Sequence, residues 1–248
     1  MAEARKTQYL AFDIYGTLLN TTSIASVIKT VLPIDEEKAS ALSSRWRTYQ
    51  LEYTWRLNSM GLYEPFDIVT KKSFLHAASE MGLKVNERQA VDILEGYNHL
   101  APYDDALEVL RQLTEVPSVK AFIFSNGTHE MVSTALTTDY LASIPLKIYV
   151  ADSVRQYKPS QVIYKGLLSF IKESEEAASI SAEDVWLVSG NPFDVTGARN
   201  MGLNAFWVDR SNTGWHDKVA PDGLDLAPTK IVRNLQEVAE FMRQAGNV

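Results

Sequence analysis

Short, unbroken apolar runs alternate with longer amphipathic stretches along most of the chain, the pattern of a parallel sheet with crossover helices. The predicted strands are Tyr9 to Asp13, Val119 to Ser125, Ile148 to Ala151, Val185 to Ser189 and Ala205 to Asp209. Their continuous apolar character suits strands buried on both faces. Helical patterns follow from about Glu130, Gln161 and Phe193, and a last one covers Asn234 to Arg243. Glu173 to Ala182 is polar and small, and reads as an exposed, lengthened helix–strand connection.

The first crossover is too long for a simple unit. Roughly a hundred residues separate the first strand from the second, where a βαβ connection needs a few tens. Leu42, Trp46, Tyr49, Tyr53, Leu57 and Met60 recur at helical steps and predict one long helix with an apolar stripe. Phe66 to Met81 and Glu87 to His99 predict two more. Pro102, followed by Tyr103-Asp104-Asp105, marks the return to the sheet. The expected organisation is therefore an α/β, Rossmann-like parallel-sheet core from residues 1–19 and 101–248, with a helical domain inserted at 20–100.

Composition removes several function classes. Hydrophobic residues make up 46% of the 248, enough for a sizeable core. The net charge of -7 argues against general nucleic-acid binding. Cysteine is absent, so thiolate catalysis and Cys-based metal sites are excluded. His76, His99, His129 and His216 show no metal-ligand spacing. Met1 to Gln8 is short and polar, without an apolar signal core, and no run reaches the ~18 apolar residues of a membrane span. A cytoplasmic protein without a membrane partner is the expectation.

Ligands of open parallel sheets bind beyond the carboxyl ends of the strands. Those positions hold Asp13 in Asp13-Ile14-Tyr15-Gly16-Thr17, then Ser125-Asn126-Gly127, then Tyr157-Lys158-Pro159, then Ser189-Gly190-Asn191-Pro192-Phe193-Asp194. With that order of motifs the chain resembles the haloacid dehalogenase superfamily, whose cap domain the inserted helices match. The segment Trp46-Arg47-Thr48-Tyr49-Gln50-Leu51-Glu52-Tyr53-Thr54-Trp55 is similar to the cap helix of the type II L-2-haloacid dehalogenases. The likeness runs from about Tyr9 to Arg210.

The resemblance implies hydrolysis of small L-2-haloacids to D-2-hydroxy acids, with no cofactor and no metal. Asp13 would be the nucleophile and Lys158 its partner cation, which favours the ionised carboxylate. Arg47 would receive the departing halide, assisted by Asn126. Ser125 and Thr17 would anchor the substrate carboxylate and Asp13. Asp194, Asn191 and Ser189 would orient or activate the water that cleaves the ester, with Tyr164 in support. Tyr15, Leu51, Phe66 and Phe193 would wall an apolar pocket. A homodimer is also a family expectation.

A magnesium-dependent phosphatase of the same superfamily is the alternative, and a non-catalytic binding protein on this fold is another. The phosphatases carry a second Asp two residues after the nucleophile to protonate the leaving oxygen, and here that position is Tyr15. A halide leaves as a stable anion and needs no such acid. Two departures from the family pattern stand out: Gly190, where relatives often have Ser, and Thr48, where a longer amide side chain is common. Arg47 falls off the apolar stripe of its helix, so the sequence leaves its facing open.

Overall fold

The computed structural model describes residues 6–137, 144 and 146–245. Six parallel strands form one sheet: β1 (Gln8–Phe12), β2 (Val119–Ser125), β3 (Lys147–Val150), β4 (Val185–Ser189), β5 (Asn204–Val208) and β6 (Lys230–Val232). Their spatial order is β3-β2-β1-β4-β5-β6. The chain builds outward from β1 to one edge, then returns beside β1 and builds to the other. The reversal of strand order therefore falls at β1 and β4, where an open sheet leaves a crevice beyond its carboxyl edge. The α/β, Rossmann-like reading is correct, and each predicted strand lies within one residue of an observed one. The sixth strand escapes the pattern because three residues, Lys-Ile-Val, cannot display a period.

Register separates the two faces. Phe122 of β2 aligns with Ala11 of β1, and Ala11 with Leu187 of β4. Phe122 and Phe124 meet Phe170 and Tyr164 of α7 (Gln161–Ser174) on that side of the sheet. Trp186 projects to the opposite face, where it and Phe206 pack on Phe241 of α9 (Leu235–Ala245). Helix α8 (Pro192–Asn200) packs along β4 and β5. Two helices flank these elements on the core side, α5 (Ala106–Thr114) against β2 and α9, and α6 (His129–Thr137) against β3. Helix α7 ends at Ser174, and the following residues to Ser181 are largely non-helical, as the polar stretch predicted.

Four helices precede α5 in the crossover from β1 to β2: α1 (Ile24–Val31), α2 (Glu36–Met60), α3 (Phe66–Glu80) and α4 (Glu87–Asn98). The outgoing and returning chains run side by side, with Asn20 N–H donating to Ala101 O and Tyr103 N–H to Leu18 O, at 2.8 and 2.9 Å. Asp35 caps α2 by accepting from Lys38 N–H, and Gly61 ends it in the left-handed conformation.

The predicted stripe of α2 is only partly the buried one. Ala39, Leu42, Ser43, Trp46, Gln50 and Thr54 are buried, whereas Met60 is 60% exposed. Tyr49 and Tyr53 lean on His76 of α3 instead. Gln50 and Thr54 tolerate burial because their polar atoms are satisfied, by Thr70 Oγ1 and by Leu51 O. This facing brings Arg47, beside Trp46, toward the sheet. Among the described residues no helix is long and apolar enough to cross a membrane.

Candidate active site

Asp13 follows the last paired residue of β1, and its own N–H still donates to Val188 O at 3.0 Å, which seats it between β1 and β4. Its carboxylate is almost wholly buried. Oδ2 accepts from Asn191 Nδ2 at 2.7 Å, Thr17 Oγ1 at 2.8 Å and Ser189 Oγ at 3.3 Å. Oδ1 accepts from Lys158 Nζ at 3.2 Å. Four donors aimed at one carboxylate hold its orientation.

The loop chemistry explains how Thr17 gets there. Gly16 takes φ +86°, a conformation that side chains rarely adopt, and the turn returns Thr17 under Asp13. Thr17 Oγ1 also accepts from Gly190 N–H at 2.9 Å, tying the β1 loop to the β4 loop. A Cβ at Gly190 would stand 2.4 Å from the Gly16 carbonyl oxygen, a backbone atom that cannot step aside. The departure from the family's Ser at this position thus has a steric reason within this chain.

Lys158 is 1% exposed and its ammonium bridges two acids. Nζ donates to Asp194 Oδ2 and Phe124 O, both at 2.7 Å, besides Asp13, and sits 3.9 Å from the Phe124 ring centroid. Its backbone is pinned from two sides. Asn126 Oδ1 accepts from Lys158 N–H at 2.9 Å, and Asn58 of α2 pairs with both Tyr157 N–H and Tyr157 O, at 3.0 and 2.7 Å. Burial pushes the Asp194 carboxyl up to about 6, against the pull of Lys158. Tyr164, whose own phenol burial raises well above its ordinary range, donates to Asp194 Oδ1 at 2.7 Å.

Arg47 reaches down from α2. Nη2 donates to Tyr15 O and to Asn191 Oδ1, each at 3.3 Å, and Nη1 to Gln50 Oε1 at 2.7 Å. Tyr15 is buried in an aromatic stack with Tyr97 and Phe66, at 5.5 and 5.7 Å between centroids. Burial raises the Tyr15 phenol above its ordinary range, so the residue standing where phosphatases keep an acid is a weaker acid still.

Asp13, Thr17, Arg47, Lys158, Tyr164, Ser189, Asn191 and Asp194 are thus joined in one hydrogen-bonded network, and Asn126 touches it through the Lys158 backbone. Ser125 is fully buried and accepts from Gly127 N–H at 3.0 Å, so that amide is spent within the turn. Leu51 is half-buried, one turn beyond Arg47. Phe193 faces a different hollow, of about 600 Å³, shared with Trp55, Asn58, Pro159 and Val219, and meets Trp55 edge-on at 5.5 Å. Sequence reasoning missed Asn58, Gln50 and Tyr97. Of these only Gln50 carried a signal, being three residues from Arg47 on one helix. Among the described residues no group of three or more His, Cys, Asp or Glu side chains could hold a metal ion.

The Haloacid dehalogenase-like hydrolase family model matches residues 10–208. The chain belongs to this family. An (S)-2-haloacid dehalogenase of Pseudomonas fluorescens is 29% identical over 235 residues, 95% of this chain and 96% of that protein. A haloacetate dehalogenase of Moraxella sp. is 31% identical over 206 residues, covering 83% and 87%. Among solved structures, the L-2-haloacid dehalogenase of Xanthobacter autotrophicus with chloropropionic acid covalently bound aligns at TM-score 0.80 and 27% identity, covering 96% of this chain and 98% of that one. These likenesses set the chain on the L-2-haloacid dehalogenase branch of the family.

Proposed function

We propose that this protein is a hydrolase of carbon–halogen bonds that converts small L-2-haloacids to D-2-hydroxy acids through an ester of Asp13. The observation that carries the reading is a buried carboxylate held by a lysine on one side, with an arginine from α2, hydrogen-bonded to neutral oxygens, arriving on the other. A substrate bearing its own negative charge needs that positive field to approach an anionic nucleophile.

An Asp13 oxygen attacks C2 from the face opposite the halogen. The new C–O bond forms as the carbon–halogen bond breaks, and the halide leaves with the electron pair toward Arg47. Ser125 and Asn126 orient the substrate carboxylate and the leaving halide, while Tyr15 and Phe66 exclude water from the alkyl side. Water then attacks the Asp13 carboxyl carbon. Asp194, Asn191 and Ser189 orient it, and Asp194 accepts its proton. The acyl C–O bond then breaks, Asp194 returns the proton to the leaving oxygen, the hydroxy acid is freed, and Asp13 becomes a carboxylate again by releasing its own proton to solvent. Carbon 2 is attacked once, so its configuration inverts.

The test is halide release from separate L- and D-2-chloropropionate in the presence of chelator, for the wild type and Asp13→Asn. Release from the L form alone, lost in the variant, is the expected result. Release that survives in Asp13→Asn overturns the nucleophile. No release from either form, with phosphate freed from phosphate esters on adding magnesium, overturns the reaction class.

A further inference from the structure

Arg47 reaches the hydrogen-bonded network around Asp13, and its contacts differ from those of the acid-paired arginines Arg210 and Arg233. Arg210 pairs with Asp105 through both terminal nitrogens, at 2.9 and 3.0 Å, and Arg233 pairs with Asp209 at 2.7 Å. The hydrogen bonds of Arg47 run instead to neutral oxygens, those of Gln50, Tyr15 and Asn191. Among the described residues it is thus held without a direct carboxylate partner, and Asn191 alone stands between it and Asp13 Oδ2.

Gln50 is the group that achieves this. It is fully buried on α2, a place where an unsatisfied amide would be costly. Its Oε1 accepts from Arg47 Nη1 at 2.7 Å and from Tyr97 OH at 3.0 Å, and its Nε2 donates to Thr70 Oγ1 at 2.8 Å. A guanidinium can only donate, so the amide has one workable orientation here, and Thr70 on α3 and Tyr97 on α4 hold it from two helices. Tyr97 in turn stacks on Tyr15, two residues from Asp13. Glutamate would fill the same space and give a stronger bond to Arg47, at the expense of its free charge.

We propose that Gln50 is a positioning residue that aims Arg47 at the anion site while leaving its positive charge uncompensated, so that Arg47 can hold a halide or a carboxylate. The inference rests on the proposed role of Arg47, and its test reads anion binding as well as turnover.

The probe is sodium bromide at constant ionic strength, followed by broadening of the bromine nuclear resonance, with Arg47→Ala as the baseline. Gln50→Glu is expected to weaken bromide binding by about tenfold or more, because the new carboxylate neutralises Arg47. Gln50→Met keeps the volume and leaves the charge, so it should bind bromide with a smaller loss while kcat for 2-chloropropionate falls. The order wild type, Gln50→Met, Gln50→Glu is the signature of charge preservation, whereas a merely structural role would make the two variants equal. Equal bromide binding in Gln50→Glu and Gln50→Met, or in Gln50→Glu and wild type, overturns the proposal. Should Gln50→Glu not fold, Thr70→Val decides, since it removes the α3 partner that holds the amide in place without adding charge. A fall of several-fold in its kcat with bromide binding kept supports the positioning role, and an unchanged kcat overturns it. Wild type that broadens bromide no more than Arg47→Ala also overturns it. A wild type that binds bromide through Arg47 but releases no halide from haloacids instead rejects the proposed reaction alone.

Discussion

Replacing Lys158 with methionine keeps an unbranched side chain one atom shorter and removes one charge from a buried group of three. The ammonium lies 3.2 Å from Asp13 Oδ1 and 2.7 Å from Asp194 Oδ2, and all three side chains are shielded from solvent. At an effective dielectric of about 20, such contacts amount to about 5 and 6 kcal/mol of attraction. Dehydration of the ions offsets much of that, and loss of one partner from a buried pair typically costs about 3–5 kcal/mol of stability. The two carboxylates left behind repel each other. Asp194 already stands at about 6 with Lys158 pulling it down. Without the lysine it climbs further and takes a proton near neutral pH. The folded variant then holds a proton that the unfolded chain, with an ordinary carboxylate, does not. Stability must therefore fall as pH rises through the new folded value.

Urea unfolding followed by circular dichroism measures this. The expected deficit against wild type is about 3 kcal/mol near pH 7, larger at about pH 9 than at about pH 6. Lys158→Met with Asp194→Asn removes the surplus carboxylate and should regain most of the stability without regaining turnover. Halide release should drop by a factor on the order of a thousand in both variants, the equivalent of about 4 kcal/mol of transition-state stabilisation. A deficit below about 1 kcal/mol, the level of an exposed ion pair, or one that does not vary with pH, would refute the reasoning.

Asp194 must be ionised to accept a proton from water, so the rate of ester hydrolysis should fall as pH drops below about 6, and quenched-flow samples near pH 5 should show ester accumulating on Asp13; a rate flat across that range removes Asp194 as the base. In heavy-oxygen water a single turnover should label Asp13 before it labels the product, as mass spectrometry of the digested enzyme will read, and label appearing first in the product would mean direct attack by water. Gly190→Ser forces a Cβ toward the Gly16 carbonyl oxygen, 2.4 Å away, and should lower the melting temperature and slow turnover through displacement of Thr17. Chelator should leave halide release unchanged, and a loss restored by magnesium would contradict the metal-free reaction.

Much of this protein was legible along the chain because its signals are local. Continuous apolar runs marked five strands, since a strand covered on both faces has no polar positions to spare. A parallel sheet sends every strand end to one edge, so the residues after those runs, Asp13, Lys158 and Asn191 among them, can be gathered from the sequence alone. The family likeness rested on the same segments. The sixth strand and helices α1 and α5 passed unread, the strand because three residues are too few for a period.

Only the tertiary structure decided which face of α2 turns inward. The aromatic stripe pointed through Tyr49 and Tyr53, yet the buried line runs through Gln50 and Thr54, because partners on α3 and within α2 itself satisfy their polar atoms. That rotation determines where Arg47 goes, and no periodicity could reveal it. The same holds for the Lys158 bridge to Asp194, the Asn58 grip on Tyr157 and the turn of Phe193 toward its own hollow. Burial of an apolar residue is a property of the residue, which a sequence records. Burial of a polar one depends on a partner distant along the chain, and only folding brings that partner into reach.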